Sequence, residues 1–130
     1  MSGSQRSLQL ILARNLLASL HTPAFLIDGT GEIVFYNEAC GGILGRRYEE
    51  SGPMPALEWT ATFGPFNDDG TPTAYSELGL TQAVTGDRAA HATYAIRSLT
   101  GNEHTVEVSA VPIQGENGFN GAMVFFWPVA

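Results

Sequence analysis

Cationic residues are scarce in this chain of 130 residues: six Lys and Arg stand against thirteen Asp and Glu, for a net charge of −7. Phosphate recognition draws on clustered Lys and Arg, so this balance argues against a nucleic-acid partner. It argues equally against an anionic membrane surface. The single cysteine, Cys40, cannot form an internal disulfide, and the expected compartment is the cytoplasm. Apolar runs are short, none approaching the roughly 20 residues of a membrane-spanning helix. No basic segment followed by an apolar core opens the chain, so no signal peptide is evident, and Met1-Ser2-Gly3-Ser4 reads as a flexible end. Catalytic motifs are missing too: there is no nucleophile elbow, no glycine-rich phosphate cradle and no zinc-ligand spacing. The thirteen carboxylates fall in turns and helix ends, and Asp68-Asp69 lacks the alternating oxygens and closing Glu of a calcium loop. Nothing in the sequence points to an enzyme.

What is present is core. Hydrophobic residues make up 44% of the chain and charged ones only 15%, the composition of a folded domain and not of a disordered segment. At this length one domain is expected, burying roughly two thirds of its unfolded surface.

The most informative stretch runs from Ala24 to Gly45. Phe25-Leu26-Ile27 ends at Asp28, a Gly29-Thr30-Gly31 turn follows, and Ile33-Val34-Phe35-Tyr36 stops at Asn37. Two β-rich runs around a glycine turn read as a hairpin. Asn37 before Glu38-Ala39-Cys40 reads as a helix N-cap, and Gly45 after Leu44 as the stop. Upstream, from Gln5 to His21, Leu8, Ile11, Leu12, Leu16 and Leu20 recur at helical spacing, with Leu10 and Leu17 widening the stripe. Thr22-Pro23 ends that helix. It reads either as a cover for one side of the domain or as a dimerisation helix, because seven large aliphatics in seventeen residues exceed what one side of a small sheet needs.

Beyond Arg46 the signals weaken. Tyr48 to Ser51 and Ala56 to Ala61 each suggest a helical turn, 64–70 a loop, and Ser76 to Thr85 a longer helix stopped by Gly86. The rest is β: Ala89 to Leu99, a turn at Thr100-Gly101-Asn102-Glu103, then His104 to Gln114, where Val106, Val108 and Ala110 alternate with Glu107 and Ser109. Asn117-Gly118 and Asn120-Gly121 are hairpin turn signals before a last, nearly all-apolar strand from Ala122 to Val129, as suits a central strand covered on both faces. The order implies an α+β fold: a five-stranded antiparallel sheet with short helices gathered on one side, preceded by an amphipathic helix. Residues 1–21 are the flanking helix and 22–130 the domain.

This order resembles that of PAS domains, sensory modules of signalling proteins. Asp28, Gly31 and Asn37 fall where the family has its first-hairpin aspartate, glycine and asparagine, and Leu44-Gly45 at the end of its first short helix. Val84-Thr85-Gly86-Asp87 matches the stop before the third strand, Thr100-Gly101 the following turn, Val111-Pro112-Ile113 the end of the fourth strand, and Gly121-Ala122-Met123-Val124 the start of the fifth. The match spans residues 22–127. Where many family members end in an Asp-Ile-Thr type triplet, this chain has Pro128-Val129-Ala130, leaving two routes open: a chain that continues, or a signal that leaves through the N-terminal helix.

The resemblance implies a regulatory module of a bacterial-type signalling protein, whose output (a histidine kinase, serine phosphatase or cyclase) lies elsewhere in the full-length chain. Flavin and haem are disfavoured. Cys40 lacks the context of a light-sensing cysteine and reads as a buried inert thiol, and Ser76 to Thr85 offers no haem histidine. His91 and His104 are expected nearly opposite across a hairpin, too few ligands for a metal site. The interior remains: Phe25, Ile27, Phe35, Phe63, Phe66, Leu80, Val84, Tyr94, Ile96, Phe125 and Trp127 are candidates to line either a filled core or a pocket for an apolar molecule such as a fatty acid. Tyr36, Tyr75, Tyr94 and Ser109 are the candidate polar groups. A ligand-free scaffold, dimerising through Leu8, Leu12, Leu16 and Leu20, is the alternative.

Overall fold

A computed structural model describes residues 8–67, 69, 71–73, 90–115 and 118–129. The N-terminal helix α1 covers Leu8–Ala18. Strands β1 (Ala24–Asp28) and β2 (Glu32–Tyr36) form the expected hairpin. Its turn is held by Asp28, whose Oδ1 accepts from the Thr30 amide at 2.9 Å, the Thr30 hydroxyl at 2.6 Å and the Glu32 amide at 3.0 Å. Gly31 takes the positive φ of 89° that the turn requires. Helix α2 runs Glu38–Leu44 and stops at Gly45 in the left-handed region, as read from the sequence. Then come α3 (Tyr48–Ser51), β3 (Met54–Pro55) and α4 (Ala56–Phe63). Strands β4 (Ala90–Arg97), β5 (Glu103–Gly115) and β6 (Gly118–Pro128) complete the sheet.

The six strands lie in the order β3-β2-β1-β6-β5-β4, and every pair is antiparallel. The strand beyond the expected five is the two-residue β3, paired with Glu32 and Ile33. β6 is central, between β1 and β5, which is why both its faces are apolar. The expected turn at Asn120-Gly121 lies inside β6 instead. Gly121 has φ 129°, and a Cβ on it would overlap the Ile27 carbonyl oxygen of β1, so glycine serves there as the point of closest strand approach. The helix expected over Ser76–Thr85 and the stop at Val84–Asp87 lie outside the described residues.

The sheet separates two clusters. On the inner face Ile27, Ile33, Val106, Val108, Ala110, Ala122, Val124 and Phe126 meet Cys40 and Leu44 of α2 and Trp59 and Phe63 of α4. On the outer face Ala24, Leu26, Val34, Phe35 and Ile113 meet Leu10, Ala13 and Leu17 of α1. Register shifts between Leu26 and Ile27, where Val34 is an extra residue in β2, and this bulge turns Val34 and Phe35 to the same side. The apolar stripe of α1 divides into two faces. Leu10, Ala13 and Leu17 face the sheet, whereas Leu8, Ile11, Leu12 and Leu16 are exposed. Both stripes satisfy three- and four-residue spacing, so periodicity does not distinguish them.

Asn37 joins these layers. Its Oδ1 accepts from the Cys40 amide at 3.0 Å, capping α2, and from the Ala24 amide at 3.1 Å, opening β1. Its Nδ2 donates to the Leu17 carbonyl at 3.0 Å and the Thr22 carbonyl at 2.8 Å, tying down the end of α1. At the other end of α2, the Leu99 amide in the β4–β5 turn donates to the Leu44 carbonyl at 2.8 Å.

Two substitutions test this arrangement. Asn37→Ala orphans the buried amides of Ala24 and Cys40 and removes a donor from the Leu17 and Thr22 carbonyls; it is expected to cost about 3 kcal/mol or more in urea unfolding, and a loss within ~0.5 kcal/mol would mean water replaces the amide without penalty. Gly121→Ala, forced into a positive φ against the β1 backbone, is expected to lower the midpoint by an amount equivalent to about 2 kcal/mol. Unchanged stability there would show that β1 and β6 separate readily.

Candidate functional site

The inner cluster is the candidate site, because it holds most of the large aromatics in mutual contact. Trp59, on the first turns of α4, is its hub: its ring lies 4.9 Å from Phe25, 5.7 Å from Tyr36 and 5.0 Å from Phe63, tilted or edge-on in each case. Phe25 meets Phe126 at 6.4 Å. Ile27 and Phe63 are buried here, while Phe25, Tyr94 and Ile96 are partly buried against the cluster, the last two on the edge strand β4. Trp59 was not among the sequence candidates. The available signal was its position three residues into a short helix that begins right after Pro55, with Phe63 one turn further on the same face.

Tyr36 and Cys40 bring polar atoms to this apolar site. The Tyr36 hydroxyl donates to the Arg46 carbonyl at 2.7 Å and lies 2.9 Å from Ser51 Oγ. Burial raises its pKa above the ordinary tyrosine value, outweighing the Ser51 hydrogen bond that lowers it. The Cys40 thiol is fully buried, and burial pushes its pKa well above the usual thiol range. Both groups are therefore protonated at neutral pH, so neither is an ionised nucleophile there. The side chains gathered here are almost entirely apolar, and burying them from water is what holds the cluster together.

Several expected pocket residues lie elsewhere. Phe35 and Phe125 face α1 on the outer side, because their β1 partners Leu26 and Ala24 do. Trp127 is also outward: it pairs with Glu107, and its indole Nε1 donates to Glu107 Oε2 at 3.1 Å. Ser109 shares that face, 2.8 Å from His91 Nδ1, so it is no inward polar group. Phe66 belongs to neither cluster. It sits in the loop after α4, bridged to Pro72, with the Arg97 guanidinium 4.3 Å above its ring. Leu80, Val84 and Tyr75 lie outside the described residues.

The histidines are not opposed: His91 pairs with Ser109 and His104 with Ile96, at different levels of the β4–β5 ladder. His91 instead approaches Glu107, 3.4 Å from Nε2, and its ring lies tilted against that of Trp127 at 5.8 Å. Among the described residues no three His, Cys, Asp or Glu side chains converge as a metal site. Nor is any described helix long and apolar enough to cross a membrane.

Of the expected dimer residues, Leu8, Leu12 and Leu16 are exposed at 65%, 57% and 49%, giving α1 a second apolar face turned away from the domain. Leu20 differs. It is partly buried against the outer cluster and belongs to the domain's own packing.

No family model matches the chain, and no curated protein matches it significantly. Solved structures do match. The Rhodobacter sphaeroides LOV protein superposes with a TM-score of 0.76 at 10% identity, over 95% of this chain and 69% of that one. The PAS domain of nitrogen regulation protein NR(II) from Vibrio parahaemolyticus gives 0.62 at 14% identity, over 91% and 98%. The PAS domain of BvgS from Bordetella pertussis gives 0.61 at 13% identity, over 94% and 86%. Despite the low identity, the likeness covers nearly the whole of this chain, and its fold is that of a PAS domain.

Proposed function

We propose that the chain is a sensory or regulatory module, residues 22–130 with a flanking helix at 1–21, of a larger cytoplasmic signalling protein. It binds an apolar small molecule such as a fatty acid between sheet and helices and relays occupancy to an effector domain in the same full-length chain. The observation that carries this reading is the Asn37 junction: one buried side chain bonds both the start of α2, over the inner site, and the end of α1, on the opposite face. A ligand that prefers one inner packing then biases α1, by no more than its differential affinity for the two packings. The fold is shared with PAS domains of two-component sensor histidine kinases, which supports the signalling context. The site's protonated, apolar lining supports binding over catalysis.

The second reading, a ligand-free dimerisation scaffold, is favoured by the exposed stripe of Leu8, Ile11, Leu12 and Leu16. Both readings have the helix pair with a second copy.

Denaturing the purified protein and analysing what is released by mass spectrometry separates them. A recurrent lipid or apolar metabolite in stoichiometric amount is expected. A consistently empty protein would leave the scaffold. Oligomeric state is checked by light scattering on a Leu12→Glu, Leu16→Glu variant. Because both side chains are exposed in the folded chain, the variant keeps its circular dichroism, and wild type is expected to be dimeric and the variant monomeric. A dimeric, folded variant would show that α1 is not the interface.

A further inference from the structure

Among the described residues, Tyr48 is the one partly buried side chain packed against both hydrophobic clusters. It reaches both because β2 is covered along only part of its length. β3 pairs with Glu32 and Ile33, so the Phe35–Tyr36 end of β2 extends beyond that pairing. Tyr48, at the start of α3, laps this edge. Its ring meets Phe35 at 5.4 Å and Tyr36 at 5.5 Å, both edge-on, and these neighbours in β2 belong to opposite faces of the sheet. The Tyr36 hydroxyl, 2.9 Å from Ser51 Oγ, fixes the other end of α3.

The contacts continue in both directions. Outward, the Arg14 guanidinium of α1 lies 4.8 Å above the Phe35 ring and 5.9 Å from that of Tyr48. Inward, Tyr36 meets Trp59, which meets Phe25 and Phe63. A continuous stack thus runs from the inner site, round the sheet edge, to the N-terminal helix. Edge-to-face pairs have a preferred geometry, so tilting one ring moves the minimum for the next. A close-packed interior transmits such shifts instead of absorbing them.

We propose that Tyr48 is a positioning residue that couples the packing of Trp59 to α1 through the Tyr36–Tyr48–Phe35–Arg14 stack. The proposal deepens the sensory reading, on which it rests for the signal carried, but the coupling itself belongs to the ligand-free monomer. Substitutions that share no partner combine additively, whereas those acting through a common residue do not. Loss of Tyr48 therefore removes the route around the sheet edge and leaves the Asn37 junction as the remaining link between the two faces.

The test compares wild type, Trp59→Phe, Tyr48→Leu and the double variant by amide hydrogen exchange over Leu10–Leu17, with β5 amides reporting global opening. With Tyr48 present, Trp59→Phe is expected to raise α1 exchange by at least about twofold beyond any change in β5, the lower end of coupling through shared partners. With Tyr48→Leu, the same substitution raises α1 exchange by a clearly smaller factor, the part that the Asn37 junction still carries. An equal factor in both backgrounds, or none in either, overturns the proposal. Should Trp59→Phe fail to fold, the exposed Arg14→Gln decides: in a Trp127→Phe protein, where Trp59 is the sole tryptophan, it is expected to shift Trp59 emission only while Tyr48 is in place. A shift that survives Tyr48→Leu, or no shift at all, overturns the proposal. Coupling found in a protein that releases no bound molecule would refute the ligand reading and leave the relay standing; a bound molecule with additive exchange would do the reverse.

Discussion

The buried amide of Asn37 is the constraint on which the arrangement of layers depends. One carboxamide offers two acceptor lone pairs and two donors, and here all are directed at backbone: the amides of Ala24 and Cys40, the carbonyls of Leu17 and Thr22. Neither Asp nor Ala satisfies both sets. Aspartate would set a carboxylate against two carbonyls, and alanine would leave the Ala24 and Cys40 amides without their acceptor. A helix, a strand and a second helix are therefore indexed to a single side chain, which holds the flanking helix α1 against the sheet. Burial of Leu10, Ala13 and Leu17 then supplies the apolar stabilisation, but the amide sets where the helix ends.

The sheet gives this junction its significance, because it keeps the inner and outer clusters apart. With six strands and apolar residues on both faces of β1 and β6, side chains on one face have little access to the other. Communication between the faces must pass through the backbone at Asn37 or around the edge, and the short β3 leaves an edge that an aromatic side chain can cover.

Legibility in the sequence followed locality. The β1–β2 hairpin, the Asn37 cap and the Gly45 stop depend on neighbours within a few residues, and each was readable. The inward set Val106, Val108 and Ala110 was readable because Glu107 and Ser109 alternate with it. Strands apolar on both faces carry no such contrast, so Phe35, Phe125 and Trp127 could not be assigned a side from parity, and pairing partners decided the matter. The same ambiguity hid the inward stripe of α1, where leucine occupies both faces. Gly121 imitates a turn because turn chemistry and close strand approach both require glycine. Trp59 was overlooked because its importance comes from rings on β1, β2 and α4, which only tertiary structure brings together.

The central position of β6 has a consequence for how this chain acquires its structure. β1 pairs with a strand about a hundred residues later, Ala24 against Phe125 and Asp28 against Gly121, so the sheet closes through contacts of very high sequence separation. During synthesis α1 and the first hairpin emerge early, yet β1 keeps one open edge until β6 leaves the ribosome. Throughout that interval Leu26 and Ile27 flank unpaired backbone, the kind of edge that recruits other chains. The same topology that centres the last strand makes its arrival the step that converts an association-prone nascent chain into a closed domain.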